Sequence, residues 1–408
     1  MPVEFKHAEL ENGLTVIAEV DPDAHSAAAG YFVKTGARDE DPAQMGVSHF
    51  LEHMMFKGTD RRSAEEVDRD FDDLGANHNA FTTSEMTAFY AHCLAEHLPA
   101  AEDVLTDILR PAIRQEDFDA EKKVILEEIA MYRDHPVWSL YERALEVWYG
   151  DHPLSHRVLG TDETVGGMNR DDMLAYFRHR YSADNTVLAL AGNLDFDRMV
   201  DRAREHCGGW ERTGATRAYP EVRPGAERFA MTMPTVNRHY VMMVAAAPPL
   251  QDDRRYAASM LAQILGDTEG SRFYWSLVET GIAEEAQAQY DGRDGTGDFI
   301  VYASCGPEDA ERVESLLRDE SARLVESLDE DDLVRVRSKV ATAAALQGEL
   351  PGGRMRRIGQ RWTSLGRYRS LEDELAVIDA VTLDDLRATA EAFPFDWGVV
   401  GTLDPEQG

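Results

Sequence analysis

The sequence is poor in positive charge, in cysteine and in long apolar runs, and each shortage narrows what the protein can be. Only 42 lysines and arginines, with lysine the rarer, stand against 76 acidic residues, leaving a formal charge of -34. A surface of that sign repels phosphate backbones and anionic membrane faces, so neither nucleic acid nor membrane is expected as a partner. The acidic excess suits either a solvated shell, as in a salty cytoplasm, or a chamber that attracts cationic peptides. Cys93, Cys207 and Cys305 are odd in number and far apart, with no Cys-x-x-Cys spacing. They read as buried thiols in a reducing compartment, not as disulfides. No segment reaches the roughly 18 consecutive apolar residues of a membrane span, and the opening MPVEFKHAELENGL is charged where a signal peptide is apolar. A cytoplasmic location is the expectation.

What is present is a chain of 408 residues, 43% hydrophobic and 29% charged, too long for one ordinary core. FKHAEL and LTVIAEV flank the turn residues Glu11-Asn12-Gly13 and predict a hairpin, followed by a third strand in AAAGYFVKTGA. VSHFLEHMMF and EEVDRDFDDLG have helical spacing, the second stopping at Gly75. ANHNAFTTSEMTAFYAHCL, with its threonines and aromatics, reads as a strand. Helices then dominate to Tyr181, and NTVLALAGNL returns as a strand. Residues 208–226, rich in Gly, Pro and polar side chains, read as an interdomain linker.

Beyond the linker the order begins again, with strands in FAMTMP and RHYVMMVAAAP, the helix RRYAASMLAQILG, a strand near DFIVYASCG, long helices and a closing strand. MNRDDMLAYFRHRY before NTVLALAGNLD matches VTLDDLRATAEAF before DWGVVGTLD. The expected fold class is therefore α+β, with two homologous lobes, each a mainly antiparallel sheet covered by helices. The boundaries are 1–207 for the first lobe, 208–226 for the linker and 227–408 for the second lobe, which lacks metal-type residues.

The chemistry lies in His49-Phe50-Leu51-Glu52-His53. Residues four apart on a helix lie one above the other, so His49 and His53 can present both imidazoles to one ion. Glu52 lies on the same flank, where a carboxylate can take the proton of an acidified water. This order is one of the inverted zinc motifs. A catalytic zinc needs a third protein ligand. In EKKVILEEIAMYRDH, Glu121 and Glu128 are seven apart and share a face with Val124 and Ile125, expected to be buried, whereas Glu127 stacks over Lys123 on the surface. Glu128 is thus the expected third ligand and Glu121 a supporting carboxylate, with a plain salt bridge as its alternative.

With these residues in place, GVSHFLEHMMFKGT, NAFTTSEMTAFY, EKKVILEE and HPLSHRVLGT together resemble the pitrilysin or insulinase family of metallopeptidases, which includes the mitochondrial processing peptidase. The chain is most similar to its short bacterial branch. The resemblance implies one Zn2+ per chain on His49, His53 and Glu128, Glu52 as general base, and Glu121 in support. It also implies a peptide substrate lying as an added strand along Asn79, Ala80 and Phe81; Asn79 reads equally as a turn or strand-start residue. The implied function is that of a zinc-dependent endopeptidase acting on peptides or small unfolded proteins, assembled as a dimer.

In the family that the chain resembles, the second lobe commonly carries an arginine and a tyrosine where this chain has Val278 and Glu284. That departure sets a homodimer against a heterodimer with a homologous subunit bearing the Arg/Tyr pair, and an active peptidase against a weakly active or purely binding subunit. His78, His152 and His156 read as structural, and Trp138, Tyr141, Trp148 and Tyr149, at helical spacing, as core packing.

Overall fold

The computed structural model of the protein describes residues 3–406. The first half begins with strands β1 (Glu4–Glu9), β2 (Thr15–Val20) and β3 (Ser26–Val33), then helices α1 (Val47–Met55) and α2 (Ala64–Asp73). Strands β4 (Asn77–Thr82) and β5 (Thr87–Leu94) follow, then helices α3 (Leu98–Ile108), α4 (Gln115–Arg133) and α5 (Pro136–Tyr149). Helices α6 (Asp162–Gly167) and α7 (Arg170–Arg180), strand β6 (Thr186–Gly192) and helix α8 (Phe196–Cys207) complete it. Residues 211–226 carry no regular secondary structure.

The second half runs through β7 (Glu227–Met233), β8 (His239–Ala246), α9 (Arg255–Gly266), β9 (Glu285–Arg293) and β10 (Thr296–Cys305). It ends with α10 (Ala310–Ser327), α11 (Glu330–Gln347), α12 (Pro351–Leu365), α13 (Leu371–Ala380), α14 (Leu383–Ala392) and β11 (Val399–Pro405). Among the described residues no helix is long and apolar enough to cross a membrane, and all three cysteines are buried and unbridged.

The two sheets repeat one topology. The first has the order β1-β2-β6-β3-β5-β4 and the second β7-β11-β8-β10-β9. Matching β2 to β7, β6 to β11, β3 to β8, β5 to β10 and β4 to β9 superposes the orders, and β1 is the one addition. In each sheet a single parallel pair, β2 with β6 and β7 with β11, stands among antiparallel neighbours. The repeated helix-strand pattern is α7-β6 and α14-β11, each helix opened by a side-chain cap, Asn169 or Thr382. The fold is the expected duplicated α+β arrangement.

Two strand readings differ from the structure. The threonine-rich stretch is not one strand but the hairpin β4-β5, because Thr83 Oγ1 accepts the amides of Glu85 and Met86 and turns the chain there. Strand β9 was not legible: EAQAQYDGR has little β-branched content and forms the edge of its sheet.

The compact units also depart from the contiguous lobes expected at 1–207 and 227–408. Unit 1 comprises Met1–Ile129, His156–Ala218 and Ala345–Leu371; unit 2 comprises Ala130–Ser155, Tyr219–Ala344 and Glu372–Gly408. The cause is an exchange of helices. Helix α12, from late in the chain, packs on β2, β3 and β6 of the first sheet, while α5, from the first half, packs on β7, β8 and β11 of the second.

Each adopted helix completes a core. Met355 and Ile358 of α12 join Ile17, Ala28, Phe32 and Ala189. Leu140, Ala144 and Trp148 of α5 join Met242, Val244 and Ile300. A buried carboxylate anchors each helix as well. Glu19 accepts from Arg357 and, at 3.0 Å, from Tyr368. Asp298 accepts from Trp148 Nε1 at 2.9 Å, Tyr149 Oη at 2.6 Å and Arg293 Nε at 2.7 Å.

Candidate metal centre

Helix α1 is buried along nearly its whole length, with Val47, Phe50, Leu51, Met54 and Met55 in the core. It begins at Gly46, whose φ of 94° is left-handed and whose added Cβ would lie 2.6 Å from the carbonyl oxygen of Leu159. Only glycine satisfies both demands. That close approach brings the HPLSHRVLGT segment against the start of the helix. Buried Glu40 secures the same end by accepting the amides of Gly46 at 2.7 Å and Ser48 at 2.8 Å. Burial pushes Glu40 up to about 8 even though both amides favour its charged form.

Phe50 stacks on Phe118 of α4, ring centroids 4.8 Å apart, and this contact sets α1 against the acidic face of α4. His49 Nε2 then lies 3.8 Å and His53 Nε2 3.6 Å from Glu128 Oε2. These separations are too long for hydrogen bonds. They approach the roughly 3.4 Å between neighbouring ligands of a tetrahedral zinc with bonds of about 2.1 Å. One ligand atom from each of His49, His53 and Glu128 falls within 4.8 Å of the others. Two imidazoles and one carboxylate form a donor set found at catalytic zinc sites, and the convergent lone pairs fit such an ion.

The surrounding groups prepare this arrangement. His53 Nδ1 lies 2.9 Å from Glu121 Oε1, so the carboxylate accepts there and Nε2 is left to face Glu128. Lys57 Nζ is 2.7 Å from the other Glu121 oxygen. Glu121 therefore forms a salt bridge and supports a histidine at once. Burial works against its charge, but His53 and Lys57 hold its carboxyl below the usual range. Glu52 Oε2 accepts from Thr82 Oγ1 at 2.6 Å.

The electrostatics separate the two histidines. Burial, aided by the neighbouring His53, drives His49 down to about 3, so it stays neutral and able to ligate. Burial alone would also lower His53, but Glu121, Glu128 and Glu52 reverse that and raise it. Burial raises both Glu52 and Glu128.

The structure thus brings His49, Glu52, His53, Glu121 and Glu128 into one cluster. Val124 does not share the buried face of α4 as expected; it is 46% exposed, while Phe118, Glu121, Ile125 and Ile129 form that face. Asn79, Ala80 and Phe81 lie on β4, the outermost strand of its sheet. The amide of Ala80 is held by Asn79 Oδ1 at 2.8 Å. Phe81 alternates with Thr82 and packs on the opposite side of the sheet, with Tyr90 and the α12 cluster.

His78 stacks on Phe71, His152 Nδ1 accepts from the Leu154 amide, and His156 Nδ1 lies 2.9 Å from the Ala37 carbonyl oxygen; none belongs to the cluster. Glu40, Lys57 and Thr82 were missed as functional residues. Lys57 and Thr82 stand within the quoted motifs, whereas Glu40 carries no pattern of its own.

Comparison with known proteins places the chain in a family. The profile of the insulinase family, peptidase family M16, matches residues 15–162, and that of the peptidase M16 inactive domain matches residues 167–340. An uncharacterized zinc protease of Streptomyces coelicolor is 34% identical over 399 residues, covering 94% of this chain and 86% of the relative. The chain belongs to the insulinase (M16) peptidase family.

Solved structures agree on the fold. A protease from Helicobacter pylori matches with a TM-score of 0.92 at 18% identity, covering 99% of this chain and 100% of that one. An M16-like peptidase from Alicyclobacillus acidocaldarius matches with 0.87 at 25% identity, covering 100% and 99%.

Proposed function

We propose that the protein is a zinc endopeptidase holding one ion on His49, His53 and Glu128, with Glu52 as general base. The observation that carries this reading is the convergence of three ligand atoms beside a carboxylate that is not among them. A zinc ion bound there would polarise a peptide carbonyl and acidify a coordinated water. Glu52, aimed by the Thr82 hydroxyl, would take the proton of that water and return it to the leaving amine. Glu121 would keep His53 in the ligating tautomer. A peptide backbone would align along the open edge of β4, with Asn79, Ala80 and Phe81 beside the attacked bond.

Glu52→Gln is the direct test. The purified variant should retain about one zinc per chain while peptide cleavage falls by roughly 10²- to 10⁴-fold. Cleavage at the parental rate by a fully metallated variant would remove Glu52 from its role.

One observation favours a second reading, in which the chain works only with a partner. Where relatives carry the Arg/Tyr pair, Val278 is half-buried at the end of a one-turn π-helix and Glu284 pairs with Arg238. Neither can grip substrate as the missing pair would. Sedimentation and a quenched-peptide assay, with and without a homologous Arg/Tyr-bearing subunit, separate the readings: activity appearing only in the mixed sample supports the heterodimer, and full activity of the homodimer rejects it.

A further inference from the structure

Arg217 lies in the stretch without regular secondary structure, yet its side chain is only 4% exposed. Its guanidinium forks onto the Asp39 carboxylate, Nε at 3.0 Å from Oδ1 and Nη2 at 2.7 Å from Oδ2. The same Nη2 donates to the Glu85 carbonyl oxygen. Asp39 is 1% exposed, so this charge-assisted fork is shielded from water and strongly directional. Arg180 reinforces it by donating to the carbonyl oxygens of Asp39 at 3.0 Å and Thr216 at 2.9 Å.

The two segments that Arg217 joins lead to the two ends of one hydrogen bond. Asp39 adjoins Glu40, which holds the first turn of α1, the helix that carries Glu52. Glu85 lies in the turn that follows Thr82, the last residue of β4. Strand β4 pairs on one side only, so its end depends on that turn for its place. Segment and turn also meet directly. The amides of Ala37 and Arg38 donate to the carbonyl oxygens of Thr83 at 3.2 Å and Ser84 at 2.9 Å, and the Arg38 guanidinium pairs with Glu85. They lie so close that a Cβ on Gly36 would fall 2.3 Å from the Thr83 oxygen.

We infer that Arg217 is a positioning residue for the general base: it clasps the turn after Thr82 to the segment before α1 and thereby fixes the bond from Thr82 to Glu52. The catalytic consequence rests on the proposed peptidase reading, whereas the clasp rests on its own contacts.

The test is a double-mutant cycle on the full chain, with zinc content and quenched-peptide kinetics read together. Arg217→Gln should keep about one zinc per chain and a KM within about twofold, while kcat falls about 10- to 100-fold. Thr82→Val should do the same. Because both act on one hydrogen bond, the double variant should fall no more than about twofold below the weaker single variant. Arg217→Lys keeps the charge opposite Asp39 but not the fork, and decides the matter if the glutamine variant does not fold; its kcat should fall about tenfold.

Parental kcat in a folded Arg217 variant overturns the inference, as do losses that multiply in the double variant, which would mark general damage to the fold. Crystal structures of the metal-free proteins give a readout without activity. The contact from Thr82 Oγ1 to Glu52 Oε2, 2.6 Å in the parent, should open beyond about 3.5 Å in the Arg217 variant, and an unchanged contact also overturns the inference. A parent that binds zinc but cleaves no peptide would count against the peptidase reading and leave this structural comparison to decide the clasp.

Discussion

The two sheets share one strand order, yet the helices that follow β3 and β8 could hardly differ more. Helix α9 buries Ala257, Ala258, Met260, Leu261, Ile264 and Leu265 and has only Arg255 as a charged buried residue, in its first turn. Helix α1 occupies the same place in the sequence of elements and buries His49, with Glu52 and His53 partly buried beside it. The second unit therefore acts as an internal control: this topology is stable with apolar side chains where the first unit carries ionisable ones. Packing does not explain the polar cluster. Burial displaces His49, Glu52 and Glu128 from their ordinary ionisation, a cost expected where function retains the groups.

The largest expected effect comes from making α1 resemble α9. His49→Leu should lower apparent zinc affinity by more than about a thousandfold while the metal-free protein melts at an equal or higher temperature. Competition with a chelator and calorimetry of the apo form measure the two halves of that statement. Unfolding of the apo variant would break the comparison, because His49 would then be structural.

Next come the exchanged helices. Glu19→Ala leaves the half-buried Arg357 without its carboxylate and should cost about 3 kcal/mol, read from urea unfolding. Asp298→Ala should do the same in the second unit, and a large effect in one unit alone would show that the two anchors are not equivalent.

A smaller effect is expected at Glu121. Glu121→Gln keeps an acceptor for His53 but loses the charge, and should weaken zinc binding by roughly 10- to 100-fold. An unchanged affinity would reduce Glu121 to its salt bridge with Lys57.

The smallest effect is a pH trend. Glu40 sits at about 8 in the folded chain against an ordinary 4.5, so the native state holds a proton that the unfolded state releases between those values. Its contribution to stability is full below 4.5 and fades as pH rises toward 8. The urea midpoint should fall over that window in the parent and fall less in Glu40→Ala, which is less stable throughout.

Much of the site was legible because it is local. His49, Glu52 and His53 fall within one helical turn, and Glu121 and Glu128 on one helix, so periodicity alone groups each set. Their meeting depends on the Phe50–Phe118 stack, a contact between residues 68 positions apart that no spacing announces. Glu40 was invisible for the same reason, since it acts by accepting two backbone amides and belongs to no side-chain pattern. Val124 misled because an apolar residue at the right period was assumed to be buried, although apolar residues are common on surfaces. The core reading of Trp148 and Tyr149 holds, and Tyr141 packs against the same cluster, whereas Trp138 is half-buried and lines a cavity. The exchange of α5 and α12 between compact units is not legible in the sequence, because it is a property of tertiary packing and both helices have amphipathic patterns that fit either sheet.

The exchange sets a schedule for a chain emerging from the ribosome. Strands β1 to β6 are complete by residue 192, but α12, which covers one face of their sheet, begins only at residue 351. That apolar face must wait, uncovered, while some 160 further residues are synthesised. A truncated product ending at the linker would expose it permanently, so neither half of the gene is expected to yield a soluble protein by itself, and co-expression of both halves is the arrangement in which each can recover its missing helix.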